Sequence, residues 1–294
     1  MIGKFAMFCR NMLDWFKSDR CFIKYFIDAF GYVNKNMLLV MLIVLFTYAI
    51  TLYVLISAVH GTSSIIMLTI LTLLSSAMAS GLFYSIKKSI ENSDEDNSKT
   101  TFGTFYSGVG KHYLSFLGIM FLFFILTTGV IALTFILANT FICNISELGV
   151  SIRDFFYILA DPSIGAPVFE QLSKTQQTHF RDWNRIFFIT TQIFTVLMMY
   201  WIPEKMYTQK NIFVSLFGGI KKVITDLPNT VCIYLTILLL NFIISAPIPF
   251  FSNVAIVAFI LSILSIYLLV YDFYVIFLYY KAKYINVYER GEIE

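Results

Sequence analysis

Four stretches of this 294-residue chain contain no Asp, Glu, Lys or Arg: Asn36 to Ile86, His112 to Ser146, Ile186 to Pro203 and Leu227 to Tyr271. A helix crossing a hydrocarbon core of about 30 Å needs about 20 apolar residues. The first and last stretches, 51 and 45 residues long, each hold two such spans, and the other two hold one each. Six spans are therefore expected, over Met37 to Val59, Ser64 to Ile86, Leu114 to Leu137, Ile186 to Ile202, Asn229 to Phe250 and Val254 to Tyr279. With 58% hydrophobic and 13% charged residues, the chain has too little polar surface to cover a water-soluble domain of this size. Backbone amides in lipid must be satisfied within their own segment, which leaves helices or a closed barrel. Runs such as Leu38 to Phe46 are apolar on every side and lack the alternation of a barrel strand. The expected fold class is all-α, a polytopic membrane protein forming one domain over 1–294.

Basic residues set the expected orientation, because loops rich in Lys and Arg stay on the cytoplasmic side. Six spans place seventeen of the 21 basic residues on one side, in the N-terminal segment, the second and fourth connections and the tail. Only Arg153, Lys174, Arg181 and Arg185 fall on the other. Both termini are expected to be cytoplasmic, in a multi-pass protein of the plasma membrane. The net charge of +3 then matches an anionic inner leaflet, and no basic stripe with interleaved aromatics points to nucleic acid. The N-terminal 21 residues lack the apolar run of a signal peptide. Ile2, Phe5, Phe8, Cys9, Met12, Leu13 and Phe16 recur at helical spacing, the pattern of an amphipathic helix lying at the interface or on the protein's own cytoplasmic face.

A pattern recurs before spans one, three and five. It reads Phe26-x3-Phe30-Gly31-x-Val33-x-Lys35, then Phe102-x3-Tyr106-Ser107-x-Val109-x-Lys111, then Phe213-x3-Phe217-Gly218-x-Ile220-x-Lys222. Aromatic residues four apart share one helical face, the small residue favours close approach to a neighbour, and the lysine reaches toward headgroups. Each hairpin that follows ends in an aromatic and basic exit: Tyr84 to Lys88, Tyr200 to Lys205, and Tyr279 to Lys281. Three pseudo-repeats of amphipathic helix plus helical hairpin are expected, over 22–92, 101–209 and 210–288. Pro228 is expected to break the third amphipathic helix from its span.

These segments and their hairpins resemble a broad group of bacterial six-span membrane proteins that includes the membrane domain fused to some glycerophosphodiester phosphodiesterases. The resemblance covers nearly the whole chain and implies a fold and a membrane location. The soluble catalytic barrel of those fusions has no counterpart in this sequence, so no activity follows.

Enzyme signatures are missing. His60, His112 and His179 are isolated, no phosphate-binding glycine loop or nucleophile elbow occurs, and Cys9, Cys21, Cys143 and Cys232 have no metal-ligand spacing. No cofactor, metal or catalytic residue is assigned. The one acid inside a span is Asp272, nine residues before Lys281 and so roughly 13 Å within the membrane. An intramembrane carboxylate costs about 2.5–3.5 kcal/mol on insertion scales. One reading is a cation, proton or solute site; the other is a partner such as Lys222 or the hydroxyl of Tyr271 or Tyr274. Asn241 and Gln192, with Thr190, Thr191 and Thr195, are the other polar groups at depth, and interhelical hydrogen bonding accounts for them. Pro247 and Pro249 are expected to shape the turn between spans five and six.

The sizeable outer element, about 141–184, carries five acids and the turn-forming run Asp161 to Pro167. A short surface helix around Phe155, Phe156, Ile158 and Leu159 is expected there, as a passive cap or as the place for a partner. Glu91 to Thr101 reads as a polar linker. Taken together, the residues favour a non-catalytic scaffold, assembly or lipid-handling component, with the bilayer and another membrane protein as partners. The alternative is a transporter or channel subunit for a small solute or ion using Asp272.

Overall fold

The computed structural model describes residues 22–59, 64–92, 102–151, 155, 167, 169–251 and 254–286. Among these, helix dominates and no strand occurs. The expected N-terminal helix, most of the 91–101 linker, and Phe156, Ile158 and Leu159 lie outside the described residues. The helices are α1 (Ile23–Lys35), α2 (Met37–Val59), α3 (Ser64–Glu91), α4 (Phe102–Phe141), α5 (Lys174–Met198), α6 (Trp201–Thr208), α7 (Ile212–Thr225), α8 (Leu227–Ser245), α9 (Ile248–Phe251) and α10 (Ala255–Tyr280). A π-turn, Lys281–Ile285, continues α10.

Six segments are long and apolar enough to cross a membrane, in α2, α3, α4, α5 with α6, α8, and α10 with its extension. Each turns large apolar side chains outward, among them Leu45, Ile65, Phe124, Ile193, Phe242 and Ile256. Exposed apolar surface on this scale is stable only against lipid. The chain is a multi-pass membrane protein.

Helix ends depart from expectation in instructive ways. α4 is one rod of 40 residues, about 60 Å long, so the second motif segment forms the first turns of the third span. α5 begins at Lys174, twelve residues before the expected start of the fourth span. The break between α7 and α8 falls at Asp226, whose φ and ψ are −123° and 34°, and not at Pro228. Pro228 sits in the first turn of α8, where a missing N–H leaves no hydrogen bond unmade. Asn36 makes the matching break between α1 and α2, at −116° and 37°. Pro247 takes its expected part in the turn after α8, its carbonyl accepting from the Phe250 and Phe251 amides at 3.1 and 3.2 Å.

The chain forms two compact units, residues 1–120 with 198–294 and residues 121–197. In the larger unit α10 is central. α1 runs antiparallel along it, with Tyr25 against Tyr279, Tyr32 stacked on Tyr274 and Phe30 against Tyr267. α3 meets it through Phe83, whose ring lies 4.7 Å from Phe273 and 5.9 Å from Phe277.

In the smaller unit the remainder of α4 pairs with α5 through Phe123 and Phe194, and through Phe135 and Trp183. Beyond them Ala138, Cys143, Phe155, Phe180 and the fully buried Trp183 form a compact core of their own. The connecting chain is pinned to it. Asn139 Oδ1 accepts the Ile145 amide at 3.0 Å, and Gly149 takes a positive φ of 71° against the Gln176 side chain. Ser173 and Gln176 cap the start of α5 reciprocally, each side chain accepting the other's amide.

Candidate functional site

Two polar assemblies lie in the larger unit, one deep in a span and one at the helix ends. The deep one joins α8 to α10. Asn241 Nδ2 donates to Asp272 Oδ2 at 2.7 Å and to the Ile237 carbonyl of its own helix at 3.0 Å. Asp272 is 8% exposed, and its Oδ1 is buried with no hydrogen-bond partner among the described residues. The partners expected for Asp272 are engaged elsewhere or meet other groups. Tyr271 donates to the Phe26 carbonyl at 2.9 Å, the Tyr274 ring stacks on Tyr32, and Lys222 belongs to the second assembly. Gln192, the third residue named at depth, is half-buried on α5 and belongs to the smaller unit. Thr190, Thr191 and Thr195 correct another expectation. Each hydroxyl donates to the carbonyl four residues back on its own helix at 2.8 Å.

The second assembly was not visible in the pattern of residues. Glu204, in the first turn of the short helix α6, is 2% exposed. Its carboxylate accepts the Tyr280 hydroxyl and pairs with Lys222 Nζ at 2.5 Å, while Lys210 stands 4.0 Å away. Lys222 also lies over the rings of Tyr280 and Tyr284, 4.6 and 4.9 Å from their centroids. One helix turn along, Asp226 repeats the scheme. It accepts from the Tyr279 hydroxyl, from Lys283 Nζ at 2.9 Å and from Asn229 Nδ2 at 2.7 Å. Burial pushes the Asp226 carboxyl up, but the donated bonds from Tyr279, Lys283 and Asn229 outweigh it and hold the group below its ordinary 3.8. Beside these pairs the buried Tyr200 hydroxyl meets Thr230 Oγ1 at 3.1 Å.

The three motif segments sit against span exits in a cyclic order. α1 rests on α10, the first turns of α4 rest on the end of α3, and α7 rests on α6. In the third copy the motif's small residue makes the close approach, a Cβ on Gly218 standing 2.9 Å from Glu204 Oε1, and in the second and third copies the next residue does so as well. A Cβ on Gly108 would stand 2.7 Å from Tyr84 Cβ, and one on Gly219 would stand 2.9 Å from the Trp201 amide nitrogen. Gly31 meets nothing within 4 Å, so the expectation that it allows close packing does not hold. Ser107 is half-buried, and Gly218 faces the Glu204 carboxylate.

The aromatic positions face outward. Phe30, Phe102, Tyr106, Phe213 and Phe217 are all exposed; Phe26 alone is buried, between Phe22 and Tyr271. Among the motif lysines Lys35 is exposed, Lys111 donates to Tyr84 Oη at 3.3 Å, and Lys222 is the ion-pair partner already described. Both helix breaks are held by the exit of the hairpin that follows them. Asn36 Nδ2 donates to Ser89 Oγ at 2.8 Å, as Asp226 is held by Tyr279 and Lys283. Among the described residues no group of three or more His, Cys, Asp or Glu gathers as a metal site would require. Comparison with protein-family models, with curated proteins and with solved structures finds no match.

Proposed function

We propose that this chain is a non-catalytic component of the cytoplasmic membrane, serving as a scaffold or in assembly or lipid handling, with both termini in the cytoplasm. The observation that carries the reading is the closure of the helix-end assembly on itself. Glu204 and Asp226 are each tied to a lysine and a tyrosine from other elements, so these charges serve to hold helices together. The cyclic seating of α1, the start of α4 and α7 on the three span exits supports three pseudo-repeats. The outward aromatic faces of those segments suit the headgroup layer of a bilayer, where rings of this kind anchor. The likeness of the repeat segments to bacterial six-span membrane proteins fits the same reading.

Affinity purification in mild detergent, with identification of co-purifying proteins and lipids, tests it. A defined protein or lipid retained through stringent washing is the expected result, and purification of a bare chain would sink the scaffold reading. The buried, one-sided hydrogen bonding of Asp272 favours a second reading, a transporter or channel subunit. Solute flux into reconstituted vesicles that Asp272→Asn abolishes would establish that reading in place of the first.

A further inference from the structure

We propose that Asp272 is held as a neutral carboxylic acid and that the Asp272–Asn241 pair is a proton-binding site within the membrane. The inference deepens the transport reading but stands on geometry of its own. Asp272 is more than nine-tenths buried, and the single donor that reaches it among the described residues, Asn241 Nδ2, satisfies Oδ2 alone. Oδ1 is closed off from solvent with no donor among the described residues. A carboxylate left in that state would keep its charge on a buried oxygen with no donor to stabilise it. One proton on Oδ1 removes the charge, while Oδ2, now the carbonyl oxygen, keeps the Asn241 bond unchanged.

A metal cation fits the place poorly. Out of water, ions such as calcium take about six or more oxygen ligands. The pair offers one carboxylate, and its amide presents the donor end. A proton needs one oxygen.

The titratable groups around the pair are mostly phenols. Tyr271 and Tyr274 flank Asp272 on α10, and α1 brings Tyr32 against Tyr274. Lys24 of α1 is half-buried near the start of that helix, and Asp28 and Lys35 are exposed. α8 contributes the amide of Asn241. α3 brings Phe83 against Phe273, α6 brings Tyr207 against Phe277, and α2 brings Tyr48 against Phe259, more than three turns away. The cluster of Glu204, Lys222 and Asp226 meets α10 at Tyr279 and Tyr280, about 11 Å further along the helix.

Infrared difference spectroscopy on the full chain in phosphatidylcholine vesicles at neutral pH tests the site. The expected result is a carboxylic-acid carbonyl stretch in the native chain that disappears entirely in Asp272→Asn. In Asn241→Leu the band should remain and shift to higher frequency, since its carbonyl loses a hydrogen bond. Asp272→Glu, should Asp272→Asn fail to fold, must keep an acid band at a new position. Absence of any Asp272-dependent acid band, or its conversion to a carboxylate band when sodium or potassium is added, would overturn the proposal. Flux measured on the same vesicles separates the two readings: an acid band with flux indifferent to Asp272→Asn keeps the proton site and removes transport.

Discussion

Tyr280 donates its hydroxyl to the carboxylate of Glu204, 76 residues earlier in the chain, and Lys222 closes the triangle from a third helix. α6, α7 and α10 thus meet at one buried acid. Removing one member of such a buried pair leaves a desolvated charge and costs about 3–5 kcal/mol, whereas replacing both partners together is far milder. Glu204→Ala is expected to destabilise the chain by about 3 kcal/mol, and Glu204→Met with Lys222→Met by much less. Chemical unfolding in detergent micelles measures both. A single variant as stable as the native chain would mean that the triangle holds nothing.

Glycines separate close packing from mere helical position. At Gly219 an added Cβ meets the main chain of Trp201 and Tyr200, atoms that cannot swing aside. Gly219→Ala is therefore expected to destabilise by about 1–3 kcal/mol, the range for overpacking. Gly31→Ala, in open space within a helix, should stabilise by about 0.5–1 kcal/mol from helix propensity. The same unfolding measurement on the two variants should give opposite signs. Equal effects would contradict the seating of α7 on α6.

Asp226 provides a pH test whose sign is fixed by its environment. Its carboxyl is held below 3.8 in the folded chain and returns to the ordinary value on unfolding. The unfolded state therefore takes up the proton first as pH falls. The contribution of Asp226 is fully present above about 4 and is lost as pH drops through the folded value. The stability gap between the native chain and Asp226→Asn should be constant near neutrality and close at lower pH. A gap that widened on acidification would reverse the assignment.

Much of the fold was legible because lipid imposes one rule along long runs of chain. Charge-free stretches gave all six spans, and α2 matches its expected bounds to the residue. Helix ends were harder, since they depend on partners from distant sequence. Asn36 and Asp226 break their helices because Ser89, Tyr279 and Lys283 are there to receive their side chains. Asp272 and Asn241 were both visible as polar groups at depth, but only the rotation of α8 against α10 makes them partners. Glu204 was hidden for another reason. An acid just past a span reads as an ordinary solvated exit residue until α7 and α10 fold over it.

Sidedness remains the step on which the proposed cytoplasmic termini and the threefold scheme rest. If the lysine-rich connections share a compartment, Asn92 after α3 and Lys210 between α6 and α7 lie on one side, and Lys174 at the start of α5 lies on the other. Single cysteines introduced at these positions in an otherwise cysteine-free chain can be labelled with an impermeant maleimide. In sealed vesicles of one orientation, Asn92→Cys and Lys210→Cys should react or be protected together, and Lys174→Cys should behave oppositely. Opposite behaviour of the first two would require an odd number of crossings between α3 and α6. The rods α4 and α5 could not then both span, and the pairing of hairpins that underlies the repeats would fail.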